Sequence, residues 1–352
     1  MWDPRTYEDT DYGLDEGETF EPEDAGREYD EIDVSSPHIM TVLGPIEPDE
    51  LGICLVREHL LANPEGFGDS DFLLDDEDFA SEEIEAFVTR GGRAVVEGST
   101  ADYGRNASGL VRLAMRAPMH LIAVTGRQEA LHASRMANAL DADSLAAEFI
   151  ADLQTGMDGT DARAGLIVVW AGKDEMEPAE RATLSAAVSA HRETGVPILA
   201  DGVSGLSPTA LVDALLEVGV PPGQVIAGGL DAEMTFERVT ALAGRGVFLA
   251  FDRIGKPSPE TDRDLADMMV RLMAAGYGGQ LLVSHGHARR SDYIAYGGTP
   301  GLTHITERFL LELMEAGAEA LQVRAVLIEN PARALTIAPP GREVGATDKQ
   351  SG

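Results

Sequence analysis

Between residues 38 and 337, short β-branched and apolar runs alternate with longer Ala/Leu-rich amphipathic stretches. That alternation is expected when each strand is followed by a helix packed on the outside of the sheet. Eight runs are predicted as strands: Ile53 to Val56, Arg93 to Gly98, Leu121 to Gly126, Gly165 to Trp170, Pro197 to Gly202, Val225 to Leu230, Val247 to Asp252 and Leu281 to Gly286. Runs such as Gly-Leu-Ile-Val-Val-Trp are apolar at nearly every position, so both faces are buried, as in a parallel sheet. Between them, Met176 to Thr194 has Pro178 near its start and Gly195 just past its end, the punctuation of a helix. Ser207 to Val218 reads the same way, with Pro208 in the first turn and Gly219 as the stop. Eight βα units at this length predict an α/β fold, a closed (β/α)8 TIM barrel in a single domain. A barrel of this kind places its site at the carboxyl ends of the strands, which singles out Arg57 and His59, Glu97, Thr125, Trp170, Asp201, Gly229, Asp231, Asp252, Arg253 and Ser284 to His287.

Composition and charge narrow the function. The 352 residues are 44% hydrophobic and only 5% aromatic, which suits a helix-and-sheet scaffold. Cys54 is the only cysteine, so neither an intramolecular disulfide nor a thiolate zinc cluster can form, and a reducing, cytoplasmic setting is expected. No apolar run approaches the ~20 residues of a membrane span, and the N-terminus is acidic where a signal peptide is basic. A formal charge of -34 repels phosphate backbones and anionic lipid, leaving a small molecule as the expected partner, with neither nucleic acid nor membrane. Residues 1 to 37 hold fourteen acidic side chains against Arg5 and Arg27 and form an expected disordered tail; Trp2, Tyr7, Tyr12, Phe20 and Tyr29 keep open a lid or partner-binding arm. Residues 338 to 352 read as a C-terminal tail.

Residues 40 to 52, Met-Thr-Val-Leu-Gly-Pro-Ile-Glu-Pro-Asp-Glu-Leu-Gly, precede Leu55-Val-Arg-Glu-His-Leu-Leu61. Further along come Gly91-Gly-Arg-Ala-Val-Val, Gly104-Arg-Asn, Ala164-Gly-Leu-Ile, Thr194-Gly-Val-Pro, Phe251-Asp-Arg-Ile-Gly255 and Glu329-Asn-Pro-Ala-Arg333. In order and spacing these segments resemble the phosphotriesterase-related family of the amidohydrolase superfamily, in which a similar Gly-Pro-Ile stretch precedes a His-Glu-His motif. The resemblance implies a homodimer and a two-metal hydrolytic centre, in which a bridging hydroxide attacks an ester or lactone polarised by the ions. It also implies six ligand positions, here Arg57, His59, Val168, Asp201, Gly229 and Gly286. Of these only His59 keeps the family's residue, and Arg57 brings a fixed cation, so no metal pair and no cofactor are expected. The alternative is a single divalent ion on His59, Asp201 and His285 or His287.

Asp201 and Arg57 each put a new charge inside the mouth, where an unpaired charge costs several kcal/mol, so each is expected to have a partner, either the other or a bound ligand. Burial would raise the pKa of Asp201 and make it a general base; a neighbouring arginine would lower it and make the pair a substrate clamp. The expected catalytic set is Asp201, Arg57, His59 and His285, with Trp170, Arg253, Asp252, Asp231, His287 and Glu97 around the substrate. Most of these, though not Asp201 or Arg57, have a plainer reading. Asp252 and Arg253 belong to a motif of metal-bearing relatives and suit a scaffold or substrate loop, Asp231 caps a helix, His59 is a remnant, and His285 and His287 are satisfied core or surface histidines. Trp170 either stacks on a flat substrate or fills the space left by the ions. Two functions remain: a metal-independent hydrolase, lyase or cyclase of a small ester, lactone or carboxylate, and a catalytically inactive relative that binds a metabolite or protein.

Overall fold

The computed structural model describes residues 33–64, 68–128, 141–171, 176–202, 208–230, 235–257 and 261–338. The acidic segment 1–32 with its aromatic residues, Asp231 and residues 339–352 lie outside them. A short antiparallel hairpin, β1 (Ile39–Thr41) and β2 (Gly44–Ile46), comes first. Eight parallel strands follow: β3 (Ile53–Glu58), β4 (Gly92–Glu97), β5 (His120–Gly126), β6 (Ala164–Ala171), β7 (Ile198–Gly202), β8 (Val225–Gly228), β9 (Phe248–Phe251) and β10 (Leu281–Val283). Each neighbours the next in chain order, as in a (β/α)8 barrel. The expected runs and the observed strands coincide to within a few residues.

Alternation of side chains produces two cores. Cys54, Val56, Ala94, Val96, Ile122, Val124, Leu166, Val168, Leu199, Ile226, Phe248, Ala250 and Leu282 fill the barrel interior. Their neighbours Leu55, Val95, Leu121, Ala123, Ile167, Val169, Ile198 and Leu249 face the surrounding helices. The hairpin closes the amino-terminal end of the barrel: Val42 N–H donates to Leu121 O at 2.9 Å, and Ile39 and Ile46 join the interior core. A Cβ on Gly165 would lie 2.4 Å from Met40 O, so the hairpin's close approach needs glycine there. The sequence pattern marks residues 40 to 52 as a signature without revealing the hairpin, because three-residue strands are too short to stand out as runs.

The helix Pro178–Thr194 has the expected ends, with Glu177 and Glu180 forming a capping box and Gly195 at φ 74°. The next described helix is Thr209–Glu217, with Pro208 as its N-cap residue and not inside the first turn. Arg105, from the Gly-Arg-Asn motif, is buried outside the sheet; it donates to Val124 O at 3.0 Å and pairs with Asp152 at 2.9 Å and Asp158 at 2.8 Å.

At the seam, His59 N–H donates to His287 O at 2.8 Å and Gly286 N–H to Arg57 O at 3.1 Å, joining β3 to the chain after β10. Among the described residues no helix is long and apolar enough to cross a membrane.

Candidate active site

One irregularity in β3 decides which side chains face the mouth. Leu55 pairs with Val95 and Glu58 with Glu97, so β3 spends three residues where β4 spends two. Such a bulge reverses the facing of the residues beyond it. Cys54 and Val56 point inward, and regular alternation would send Glu58 in after them. The extra residue instead turns Arg57 to the interior, towards Asp201 at the end of β7 and Asp252 just after β9.

Arg57 Nη2 lies 2.6 Å from Asp201 Oδ2, and Arg57 Nη1 donates to Asp201 Oδ1 at 3.2 Å and to Asp252 Oδ2 at 2.8 Å. The Asp252 side chain is 0% exposed and its other oxygen accepts from Gly229 N–H at 2.9 Å. Asp201 is 3% exposed and Arg57 19%, so the guanidinium keeps one edge open. One cation therefore serves two buried carboxylates. Burial acts against the charge of Arg57, but Asp201 and Asp252 hold it protonated. Burial pushes the Asp201 carboxyl up to about 6; Arg57 opposes this, Asp252 adds to it, and Arg253 also favours the anion. The expected partner for each new charge is thus the other. Asp252, which its motif alone places in a scaffold or substrate loop, is a third member of the group.

The second group lies beside it. His59 Nδ1 is 2.9 Å from Ser99 Oγ, which donates to Glu97 Oε1 at 2.7 Å, and His59 Nε2 is 3.3 Å from the Gln128 side-chain nitrogen. Donation from Gln128 to Nε2 and from Nδ1 to Ser99 gives one consistent chain ending on the carboxylate. Burial, then the Arg57 charge, lowers His59 to about 3, so the ring is neutral. Burial raises Glu97 to about 7, against donation from Ser99 and from the N–H groups of Ser99 and Leu60. Ser99 and Gln128 carry no signal in the sequence.

The third group is a barrel closure. Glu58 accepts from Ser284 Oγ at 2.7 Å, from the N–H groups of His285 and His287 at 2.8 Å each, and sits 2.8 Å from His285 Nδ1. Burial would raise its pKa, but His285 and His287 lower it to about 2. His285 Nε2 accepts from Ile305 N–H at 3.2 Å, and His287 Nε2 donates to Gly301 O at 3.1 Å. Both rings are fully buried and stacked on each other at 4.4 Å. They are bound into the seam and do not join Arg57 and Asp201. Trp170 is buried and pairs in register with Asp201; Arg253 is half-buried next to Asp252.

These side chains do not fit a pair of divalent ions. Arg57 fills the centre with a cation bound to two carboxylates, and Val168 offers no donor. Side chains cannot simply be restored at the glycines. Gly286 has φ 61° and a Cβ there would lie 2.4 Å from Asp252 O; Gly229 has φ 68° and a Cβ would lie 2.6 Å from Gly202 O. Among the described residues no three His, Cys, Asp or Glu side chains are placed to hold an ion. The set of His59, Asp201 and a strand-eight histidine is accordingly not assembled.

Residues 37–335 match the Phosphotriesterase family. The chain is 30% identical over 291 residues to the phosphotriesterase homology protein of Escherichia coli, covering 81% of this chain and 98% of that one. The crystal structure of that protein, complexed with phosphate in its active site, superposes with a TM-score of 0.78 at 27% identity, over 82% of this chain and 99% of the other. The N-acetyltaurine hydrolase of Salmo salar is 25% identical over 345 residues, 86% of this chain and 98% of its own. A mutant of a phosphotriesterase-like lactonase from Deinococcus radiodurans gives a TM-score of 0.74 at 25% identity, over 84% of this chain and 99% of the other. With its barrel, its order of motifs and these relatives, the chain belongs to the phosphotriesterase family.

Proposed function

We propose that this chain is a metal-independent hydrolase of a small ester or lactone, working in the cytoplasm, with Asp201 as general base and Arg57 as the group that receives developing negative charge. The observation that carries this reading is the single guanidinium held between two buried carboxylates at the carboxyl end of the barrel. A site that only lost its ligands would be expected to fill with apolar residues; this one holds ionisable groups with shifted pKa values. The lactonase and hydrolase relatives support the hydrolytic class.

Asp252 is bound by Arg57 and by Gly229 N–H, while Asp201 has no backbone donor among the described residues and its carboxyl is raised towards neutrality. A base in that range is suited to take a proton from water near pH 7. The resulting hydroxide adds to the carbonyl carbon, and the oxyanion meets the Arg57 edge. Nε–H and the second Nη2 hydrogen of Arg57 have no partner among the described residues, so two donors remain for it. Collapse breaks the acyl C–O bond, and Asp201 returns the proton to the leaving alkoxide.

The test is hydrolysis of aliphatic esters and γ- and δ-lactones by protein purified with and without chelator. Turnover unchanged by chelator and lost in Asp201→Asn supports the proposal. Turnover that disappears with chelator and returns with zinc or manganese would overturn it. A non-catalytic binder is the competing reading, favoured by one fact: Asp201 is held by Arg57 through both oxygens. Ligand binding without turnover across the panel would select it.

A further inference from the structure

We infer that this site takes a substrate that is neutral or positively charged and rejects anions; the inference rests on reading Arg57, Asp201 and Asp252 as the working groups. In a site built to grip an anion, an arginine presents net positive charge to the ligand. Here three contacts of 2.6 to 3.2 Å to Asp201 and Asp252 already engage the Arg57 charge, and the three groups together sum to one negative charge when both carboxylates are ionised. Arg253 adds one positive charge from beside Asp252, which only brings the four strand-end groups to balance.

Other described cations around the mouth have their own acids. Lys256 pairs with Asp292 at 2.5 Å, Arg127 with Glu148 at 2.7 Å, and Arg290 with Asp75 at 2.7 Å; Arg289 lies between Asp69 and Asp71. His59 is neutral beside Arg57, and Glu97 lies behind it. No surplus cation remains in this set to draw in a carboxylate, sulfonate or phosphate. The chain as a whole adds to the effect: with residues 1–37 set aside, forty-seven carboxylates face twenty-five lysines and arginines. A field of that sign concentrates cations and depletes anions at a cleft.

What Arg57 still offers is two N–H groups without a partner among the described residues, which suit a carbonyl dipole and the oxyanion that grows from it during reaction. A ground-state anion would have to displace a carboxylate from the guanidinium, leaving Asp201 or Asp252 buried without its counter-charge. Discrimination therefore operates before chemistry, at binding.

Three alcohols of similar size that differ in charge test this: choline, its uncharged carbon isostere 3,3-dimethylbutan-1-ol, and 3-hydroxypropane-1-sulfonate. Binding to the full-length protein is measured by calorimetry at 20 and 300 mM salt, and turnover is measured on their acetate esters. Choline binding at least about tenfold tighter than the sulfonate, with the gap shrinking at high salt, is expected. Asp252→Asn and, separately, Asp201→Asn release positive charge from Arg57, and each should move the preference towards the sulfonate. Sulfonate binding equal to or tighter than choline, absence of binding by all three, or a preference unmoved in both folded variants overturns the inference. The expected binding order with no ester turned over leaves it standing and counts against the hydrolase reading alone.

Discussion

Replacing Arg57 by methionine keeps much of the side-chain volume and removes the only cation bonded to Asp201 and Asp252 among the described residues. The two carboxyls, 3% and 0% exposed, then face each other without that counter-charge. Breaking a buried ion pair by removing one partner costs about 3 to 5 kcal/mol, because the survivor stays charged in a poor solvent. In the variant burial and the Asp252 charge raise the Asp201 carboxyl further above its unfolded value, because Arg57 no longer opposes them. The folded state then binds more protons, and stability falls as pH rises above ~4. Urea unfolding followed by circular dichroism should show a loss of about 3 to 5 kcal/mol at pH 7.5 and a smaller one at pH 5. Adding Asp201→Asn to Arg57→Met should recover at least half of it at pH 7.5, since one of the opposed charges is gone. A variant within about 1 kcal/mol of the parent at both pH values would mean that water, and not Arg57, solvates the two carboxylates.

Asp201→Asn alone should abolish turnover yet stabilise the fold. The folded carboxyl titrates near 6 and the unfolded one near 3.8, so ionised Asp201 opposes folding above pH 6 by about 1 to 3 kcal/mol, and a thermal scan at pH 7.5 should show Asn melting higher. Glu58 has the opposite sign: its pKa falls from 4.5 unfolded to about 2 folded, so its contribution is complete above pH 4.5 and disappears as pH falls towards 2. Glu58→Gln should therefore cost about 3 kcal/mol at pH 7 and less than about 1 kcal/mol near pH 2.5, read from denaturant midpoints at each pH. Gly286→Ala should cost at least about 2 kcal/mol by the same measurement, because a left-handed residue would push its Cβ against Asp252 O.

Strands show plainly in the sequence because burial on both faces leaves long apolar runs; Ala164–Ala171, buried at every position, is the clearest. Arg57 and Asp201 are singled out by the family resemblance, as charges at two of the ligand positions that it implies. Their third partner is not, since Asp252 sits in a Phe-Asp-Arg-Ile-Gly motif that metal-bearing relatives share. The bulge in β3 is also silent: one extra residue between Leu55 and Glu58 leaves no mark on hydrophobic spacing, yet it turns Arg57 inward and sends Glu58 to the seam. His285 and His287 look like mouth residues by their spacing on strand eight. The Glu58 carboxylate, accepting from both their N–H groups, instead fixes them in the barrel closure. The Ser99 and Gln128 contacts to His59 join three separate segments through side chains of no distinctive pattern.

The proposed function places protein charges where the family resemblance implies metal ions, and the metal content of the purified protein tests that. Protein produced in medium supplemented with zinc and manganese, purified without chelator and analysed by plasma mass spectrometry, should hold less than roughly a tenth of an equivalent of any transition metal. One to two equivalents that survive desalting and are lost on Asp201→Ala substitution would contradict it.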